Sequence, residues 1–517
     1  MIKNKQSFSL SKRSFSASKQ VREILLIACL FIVAFLIRSY KLPDNLFFGY
    51  EQGRDAYIIQ KIYTLKEFTL IGPKTDIGGI FHGPLYYYLM TIPYGLSGGN
   101  PVVASFFLVL LSSTIPVITY LLYKDMFGSL KLGFAAGLIA ALSFELITYS
   151  RWLSNVTLAF IFVTLTYFAL WKYIKLKKDS YFILSVIFAS IASQFEIILI
   201  IEFVFVYLAF WITRIMKFNF KTFLVAIFSS LIIFSPLIFF DLRHQHLISN
   251  ALFSLATSSV TGSQGLGFVS SLSQFQLKYL AMAGRTLFIN KEPSLTLLFI
   301  CLILFGLKSY ISKVGLIVKQ VIGKAKLDKS MTVFIFLVVW SFMSLTTLIV
   351  GSNLDQAYVG SGLGLIGLLL LAIKSMWPKQ VTRILAILLI IMMLAGLTRS
   401  LDYLNNNKKV FFATVQEDLN LADQKKTLSF IDKDAQNQNY RLRAFTIPYL
   451  HPEGWYYLGD FYFPNKRIGD GNLIYIIIEK KVDKIWEDKW IGEFGKSKLI
   501  SETNFGLLRV QKRIVEQ

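Results

Sequence analysis

Phe81-His82-Gly83-Pro84-Leu85-Tyr86-Tyr87-Tyr88 opens an apolar run that continues to residue 97. Whether that run crosses a bilayer decides the orientation of everything after it. The run is shorter than the roughly 20 residues a helical span needs. It also contains Pro93 and is crowded with tyrosine, a residue at home at the membrane–water interface. We therefore read 83–97 as a helix lying at the interface.

With 83–97 kept out of the count, apolar segments fall near 23–37, 101–123, 132–149, 156–174, 180–194 and 196–213. Five more follow near 222–240, 294–310, 331–350, 357–373 and 384–398. The connections on the side of the N-terminal tail then collect Lys124 and Lys131, the group from Lys172 to Lys178, and Arg214, Lys217 and Lys221. Further on they collect Lys308, Lys313, Lys319, Lys324, Lys326 and Lys329, then Lys374, Lys379 and Arg383. Cytoplasmic loops carry such an excess of Lys and Arg. Counting 83–97 as a span would move the 175–178 and 308–329 clusters to the opposite side. About eleven spans with a cytoplasmic N-terminus are expected.

Composition agrees with that reading. Of 517 residues, 54% are hydrophobic and only 16% charged, whereas soluble domains are nearer a quarter charged. The expected fold class is an all-α polytopic membrane protein with a small extracytoplasmic α/β domain at its C-terminus. The formal charge of +23 sits mainly in alternate loops, where it meets anionic lipid, so membrane lipid and not nucleic acid is the expected partner. Cys29 and Cys301 fall inside apolar runs and exclude a disulfide framework.

The domain plan is a cytoplasmic tail at 1–22, a multi-span region at 23–399 whose first outer loop is 39–100, and the C-terminal domain at 400–517. The basic tail reads as the lead-in to a signal anchor, because Arg38-Ser39-Tyr40-Lys41 offers no small-residue cleavage site. In the first loop, residues 54–67 place Ile58, Ile59, Ile62 and Leu65 on one face, an amphipathic interfacial helix. A long outer loop is expected at 241–292 and a hinge at Asn405-Asn406-Asn407. After the hinge come a polar helix at 413–435 and strands at 441–446, 473–478 and 505–510.

Ionisable residues at a membrane entrance are costly unless paired or solvated, so a cluster of them invites a functional reading. The first such cluster is Phe47-Phe48-Gly49-Tyr50-Glu51-Gln52-Gly53-Arg54-Asp55. If Gly53 opens the helix, Asp55 lies in its first turn and Glu51 just before it, where a helix N-terminus favours carboxylates. Either acid has the chemistry to take a proton from an acceptor hydroxyl. Arg54 between them suits a phosphate or a carboxylate. The plain alternative is a capped helix start with a solvated arginine.

Other candidates lie at the outer ends of later segments. His82 begins the tyrosine run, and Tyr86 and Tyr87 follow it. Tyr149-Ser150-Arg151-Trp152-Leu153-Ser154-Asn155 puts a positive charge on the side that the bias leaves poor in them. Glu196 sits at another segment end, where it either pairs with an arginine or caps a helix. Asp241-Leu242-Arg243-His244-Gln245-His246 closes the seventh segment. Asp241 with its two histidines leaves a divalent metal open, but the spacing recurs nowhere else and no cofactor is expected. An anion site made by Arg151, Arg243 and His244 is simpler. The chain lacks a Walker loop, a dinucleotide fingerprint and a His-Glu-x-x-His zinc motif, which disfavours an ATP-driven pump and a zinc protease. A nucleotide-sugar donor, being cytoplasmic, would meet none of these residues.

The order of these motifs resembles the bacterial branch of the GT-C glycosyltransferases, relatives of the protein O-mannosyltransferases and of the lipid A aminoarabinose transferase. The likeness rests on the acid pair of the first loop, on His82-Gly83-Pro84-Leu85-Tyr86-Tyr87-Tyr88, and on Tyr149-Ser150-Arg151 with Asn155. It implies transfer of a sugar from a polyprenyl-phosphate donor to a glycan, lipid or protein acceptor, usually with inversion. It places the first-loop acid at Glu51, with Gln52 in the family's second acid position and Asp55 as a rival. It also implies substrate-binding roles for His82, Arg151, Asn155, Asp241, Arg243 and His244, and our reading of the residues adds Arg54, Tyr86, Tyr87 and Glu196 to them. The rival class is a transporter of lipid-linked sugar or polyprenyl phosphate. Transporters keep their polar sites near the bilayer midplane, whereas these residues gather at one face.

Overall fold

A computed structural model describes residues 3–75, 77–217, 219–261, 268–288, 293–323, 327–346, 348, 355–406, 419–436, 438–446, 451–464, 469, 471–479, 483–493 and 495–515. It is helical except for a four-stranded sheet near the C-terminus.

Each of the eleven expected segments coincides with a helix, but not every helix is long enough to span. Among the described residues, six meet the length and apolarity of a crossing: Gln20–Ser39, Pro101–Phe127, Asn155–Leu176, Phe220–Arg243, Asp355–Met376 and Gln380–Asn405. Two bent pairs qualify when taken together, Leu130–Leu142 with Phe144–Ser150 and Pro293–Gly306 with Lys308–Val321. Asp179–Phe195, Leu199–Ile212 and Lys329–Ser341 are shorter apolar helices. The run expected at 331–350 is cut short because Lys329–Ser341 gives way to a 3-10 turn at Met343–Thr346. The chain is an integral multi-pass membrane protein.

Packing sorts the helices. The apolar windows of Asn155–Leu176 and Asp355–Met376 are 78% and 83% buried, against 11% for Phe220–Arg243. The first two are the centre of the bundle, where Tyr167 stacks on Trp340 with ring centroids 4.2 Å apart. The last exposes Phe228, Leu231, Ile232 and Phe239, the apolar surface expected of a lipid-facing helix.

The first loop departs from expectation at its start. Its helix runs Tyr50–Tyr63, beginning four residues earlier than the apolar pattern suggests. Gln52 Oε1 accepts from the Gly49 N–H at 3.1 Å, satisfying a donor at the helix start. Glu51 therefore lies inside the first turn, and Gly53 is interior. The tyrosine run forms Leu85–Leu96, with Pro93 inside it. The expected loop at 241–292 contains two helices, Leu247–Thr261 and Phe268–Thr286. The helix Gln380–Asn406 continues through two of the three expected hinge asparagines, and Asn407 lies outside the described residues.

At the C-terminus, strands β1 (Tyr440–Phe445), β2 (Leu473–Glu479), β3 (Ser497–Phe505) and β4 (Leu508–Val515) form a sheet in the order β1-β2-β4-β3. Strands β1 and β2 run parallel, and β4 is antiparallel to both β2 and β3. Alternation in β2 explains the layering. Leu473, Tyr475 and Ile477 pack with Leu428, Ile431 and Trp455 on one face, and Ile474, Ile476 and Ile478 pack with Ile491 on the other. The strand expected at 505–510 is instead a hairpin, since Phe505 pairs with Leu508 and Gly506 takes φ +58° between them. The polar helix is Leu421–Asp434, capped by Asn420; the earlier part of the expected run, 413–418, lies outside the described residues.

Candidate active site

The site is assembled from four pieces of chain. The loop helix Tyr50–Tyr63 supplies Glu51, Gln52, Arg54 and Asp55 from its first two turns. The strand-like return before the tyrosine helix supplies Lys74 and His82, held together because His82 N–H donates to Pro73 O at 3.0 Å and Gly72 N–H to His82 O at 2.8 Å. The start of Asn155–Leu176 and the end of Asp179–Phe195 supply Asn155 and Glu196. These side chains line one polar cavity of about 70 Å³, together with Trp152, Ser154 and Gln356.

Arg54 and Asp55 form an ion pair in its wall. Arg54 Nη2 lies 2.8 Å and Nε 2.9 Å from Asp55 Oδ1, and Tyr87 Oη donates to the same oxygen at 3.0 Å. No described contact uses Oδ2. Burial raises the Asp55 carboxyl above the usual carboxylate range, opposed by Arg54 and the Tyr87 hydroxyl. Burial alone would lower Arg54, but the Asp55 carboxylate more than reverses that, so the guanidinium stays charged. Glu51 is exposed.

Gln52 has a structural use for both ends of its amide. Its Oε1 serves Gly49, and its Nε2 donates to Leu153 O at 3.2 Å, tying the loop helix to the segment before Asn155. A carboxylate could not make the second bond.

His82 is held from the other side. Its Nδ1 accepts from the Ile197 N–H at 3.3 Å, which leaves the ring proton on Nε2. Burial, with Arg54 adding to it, pushes its pKa down to about 4, so the ring is neutral at ordinary pH. Gly83 makes the approach possible. Its N–H donates to Gln194 O at 2.8 Å, and a Cβ there would overlap the Gln194 side chain at 1.6 Å. Asn155 Nδ2 donates to Phe195 O, and Asn155 Oδ1 accepts from Ser154 Oγ at 3.2 Å. The two helix ends are thereby locked together.

Tyr86 is buried beside Tyr87, with ring centroids 5.8 Å apart, and does not line the cavity. Arg151 lies elsewhere too. It is 4% exposed, and its Nη1 donates to Arg38 O at 3.0 Å and Tyr40 O at 2.7 Å. Asp241 caps the following helix by accepting from Ile248 N at 2.7 Å and Ser249 N at 3.1 Å. Arg243 is exposed, and His244 stacks on Phe240 at 4.0 Å. That cluster reaches the first loop through the Phe81–Phe240 edge contact at 5.5 Å. Among the described residues, no group of three or more His, Cys, Asp or Glu is placed to hold a metal.

Sequence reasoning missed Lys74 and Gln356 in the lining. Lys74 carried the same signal used for Arg151, a cation on the side poor in them. Gln356 carried none. It also missed the buried ion pair of Glu145 with Arg285, the latter on a helix inside the expected long loop.

Comparison with known proteins bears on this region. Residues 81–240 match the family model described as dolichyl-phosphate-mannose-protein mannosyltransferase. An uncharacterized protein of Aquifex aeolicus (strain VF5) is 32% identical over 109 residues, 21% of this chain, and the match spans only 22% of that relative's length. ArnT from Cupriavidus metallidurans is similar at 11% identity. Its undecaprenyl phosphate-bound structure gives a TM-score of 0.45, covering 95% of this chain and 97% of that one. Its apo structure gives 0.46, covering 96% and 98%.

Proposed function

We propose that the protein is a glycosyltransferase that moves a sugar from a polyprenyl-phosphate donor to an acceptor hydroxyl at the outer membrane face. The observation that carries this reading is the polar cavity itself. An exposed carboxylate (Glu51), a fixed guanidinium (Arg54) and an ammonium (Lys74) line one small space beside apolar helices. The likeness of residues 81–240 to dolichyl-phosphate-mannose-protein mannosyltransferases supports it.

In this reading the acceptor oxygen attacks the anomeric carbon, and the bond from that carbon to the donor phosphate oxygen breaks. The acceptor proton passes to Glu51. The resemblance puts the first-loop acid at Glu51, while Asp55 Oδ1 is held by Arg54 and Tyr87. The negative charge that develops on the leaving phosphate is met by Arg54 and Lys74, since positive charge held in place beforehand is what lowers such barriers most. Neutral His82 offers its Nε2–H as a hydrogen-bond donor. Attack opposite the leaving phosphate inverts the anomeric centre.

The test is incubation of purified protein with a polyprenyl-phosphate sugar and a panel of acceptors. Release of free polyprenyl phosphate, lost in Glu51→Gln, is the expected result. Movement of the lipid across vesicles without cleavage would replace this reading with a transporter.

A further inference from the structure

The helix that carries Glu51, Arg54 and Asp55 is gripped from its other side by the C-terminal α/β unit. The helix Glu453–Tyr462 crosses it at a pair of glycines. A Cβ added to Gly53 would sit 2.4 Å from Gly454 N, and one added to Gly454 would sit 2.6 Å from Gly49 O. The two backbones touch, and nothing larger than hydrogen fits between them. Gly53 lies between Gln52 and Arg54, so the crossing falls directly behind the cavity wall.

Polar contacts fix the crossing at both ends. Tyr57 Oη donates to Asp460 Oδ2 at 2.5 Å, and Tyr457 Oη donates to Gly99 O at 2.8 Å. At the helix start, the His451 ring stacks on Tyr50 at 4.4 Å, and the Arg54 guanidinium lies 5.3 Å from the same Tyr50 ring. Gln424 Nε2 adds a bond to Phe48 O at 2.9 Å, and Leu421 N–H one to Leu46 O at 2.9 Å. Every one of these contacts lands on the first loop, on Tyr50 and Tyr57 in the turns that bear the charged residues and on Leu46, Phe48 and Gly99 beside them. Packing for stability alone would not need to concentrate there.

We infer that the helix Glu453–Tyr462 is a positioning strut, which sets where Glu51, Arg54 and Asp55 stand relative to Lys74, His82 and Glu196. This rests on the transferase reading for its catalytic consequence, but the mechanical coupling is separable from it. Asp460 is exposed and does not line the cavity, so replacing it removes one grip without emptying a core.

The test uses the full-length protein in detergent or nanodiscs, with Asp460→Ala, Asp460→Asn and Tyr57→Phe. Amide exchange of residues 50–63 and steady-state release of polyprenyl phosphate are both measured. In Asp460→Ala and Tyr57→Phe, exchange should rise in 50–63 and kcat should fall on the order of tenfold or more, with the donor KM unchanged. Asp460→Asn, whose amide oxygen still accepts the Tyr57 hydroxyl, should restore both. The double variant should cost no more than either single one. Unchanged protection of 50–63 in both single variants overturns the strut. Lost protection in a protein whose wild type releases no polyprenyl phosphate would support the strut and sink the transferase reading.

Discussion

Arg151 closes the end of the helix that carries Arg38, and Arg38 closes the helix break that precedes the turn carrying Arg151. Arg151 donates to the carbonyls of Arg38 and Tyr40, at the end of the first helix. Arg38, fully buried, donates from Nη1 to Ala141 O at 2.9 Å, from Nη2 to Ala140 O at 3.3 Å and from Nε to Ser150 Oγ at 2.9 Å. Those carbonyls are orphaned because the helix Leu130–Leu142 breaks at Ser143, where the chain bends by 54°. The two caps hold the segment that leads into Asn155 and the cavity.

Removing either cap leaves buried carbonyls without donors, at about 1–3 kcal/mol each. Arg38→Met and Arg151→Met should therefore lower thermal stability markedly, with a loss of roughly 2–5 kcal/mol for Arg38. In the fraction that stays folded, Arg151→Met should keep its donor KM. A raised KM with unchanged stability would put Arg151 back at the phosphate.

The division of labour between the two acids makes a second prediction. Glu51→Gln should reduce kcat by a factor of about 10²–10⁴, the range for losing a general base, with donor binding retained. Asp55→Asn should instead raise the donor KM, because Arg54 loses its anchor. Equal kcat losses at unchanged KM in both variants would reassign the base to the pair.

Lys74→Ala should weaken use of the lipid-phosphate donor more than it slows turnover. Its side chain is exposed, so its pull on phosphate should also weaken with salt. Titrating donor at low and at high ionic strength, in wild type and variant, checks this. A donor KM that ignores both the substitution and the salt removes Lys74 from the site.

His82 gives a pH-dependent stability with a definite sign. An unfolded histidine binds its proton near pH 6.5, whereas folded His82 resists until about 4. Between those values the unfolded chain holds more protons, so stability falls as pH drops through the window, by at most about 3 kcal/mol. His82→Gln keeps an acceptor for the Ile197 N–H and should flatten that part of the melting-temperature profile between pH 7 and 5. A slope that survives the substitution belongs to another group.

Gln52→Glu restores an acid at the position where the resembling family has one. It keeps the acceptor for Gly49 N–H but sets a carboxylate against Leu153 O, a buried acceptor. The variant should be less stable by about 1–3 kcal/mol, read by thermal unfolding. Wild-type stability would show that the Leu153 bond carries nothing.

Much of the membrane architecture is legible along the chain because apolar run length and lysine placement are local, additive signals. The short tyrosine helix Leu85–Leu96 and the eleven apolar segments are both readable in that way. The start of the loop helix is not, because it depends on a side-chain bond from Gln52 that no periodicity records. The hairpin at Gly506 looks like a strand for a similar reason, since a single positive φ interrupts an otherwise β-rich run.

Of the candidate site, residue order alone was enough to name the types that crowd the ends of the apolar segments: Glu51, Arg54, Asp55, His82, Asn155 and Glu196. These share one cavity, because each lies at or near a segment end and segment ends on one side of a bundle converge. Folding in three dimensions is what spends Arg151 and Asp241 on helix ends and turns Lys74 towards the cavity. It also brings Gly53 against Gly454 across some four hundred positions of chain. A charge can be read from one residue, but what it is paired with depends on which backbones touch. That is a property of packing, to which no single stretch of sequence has access.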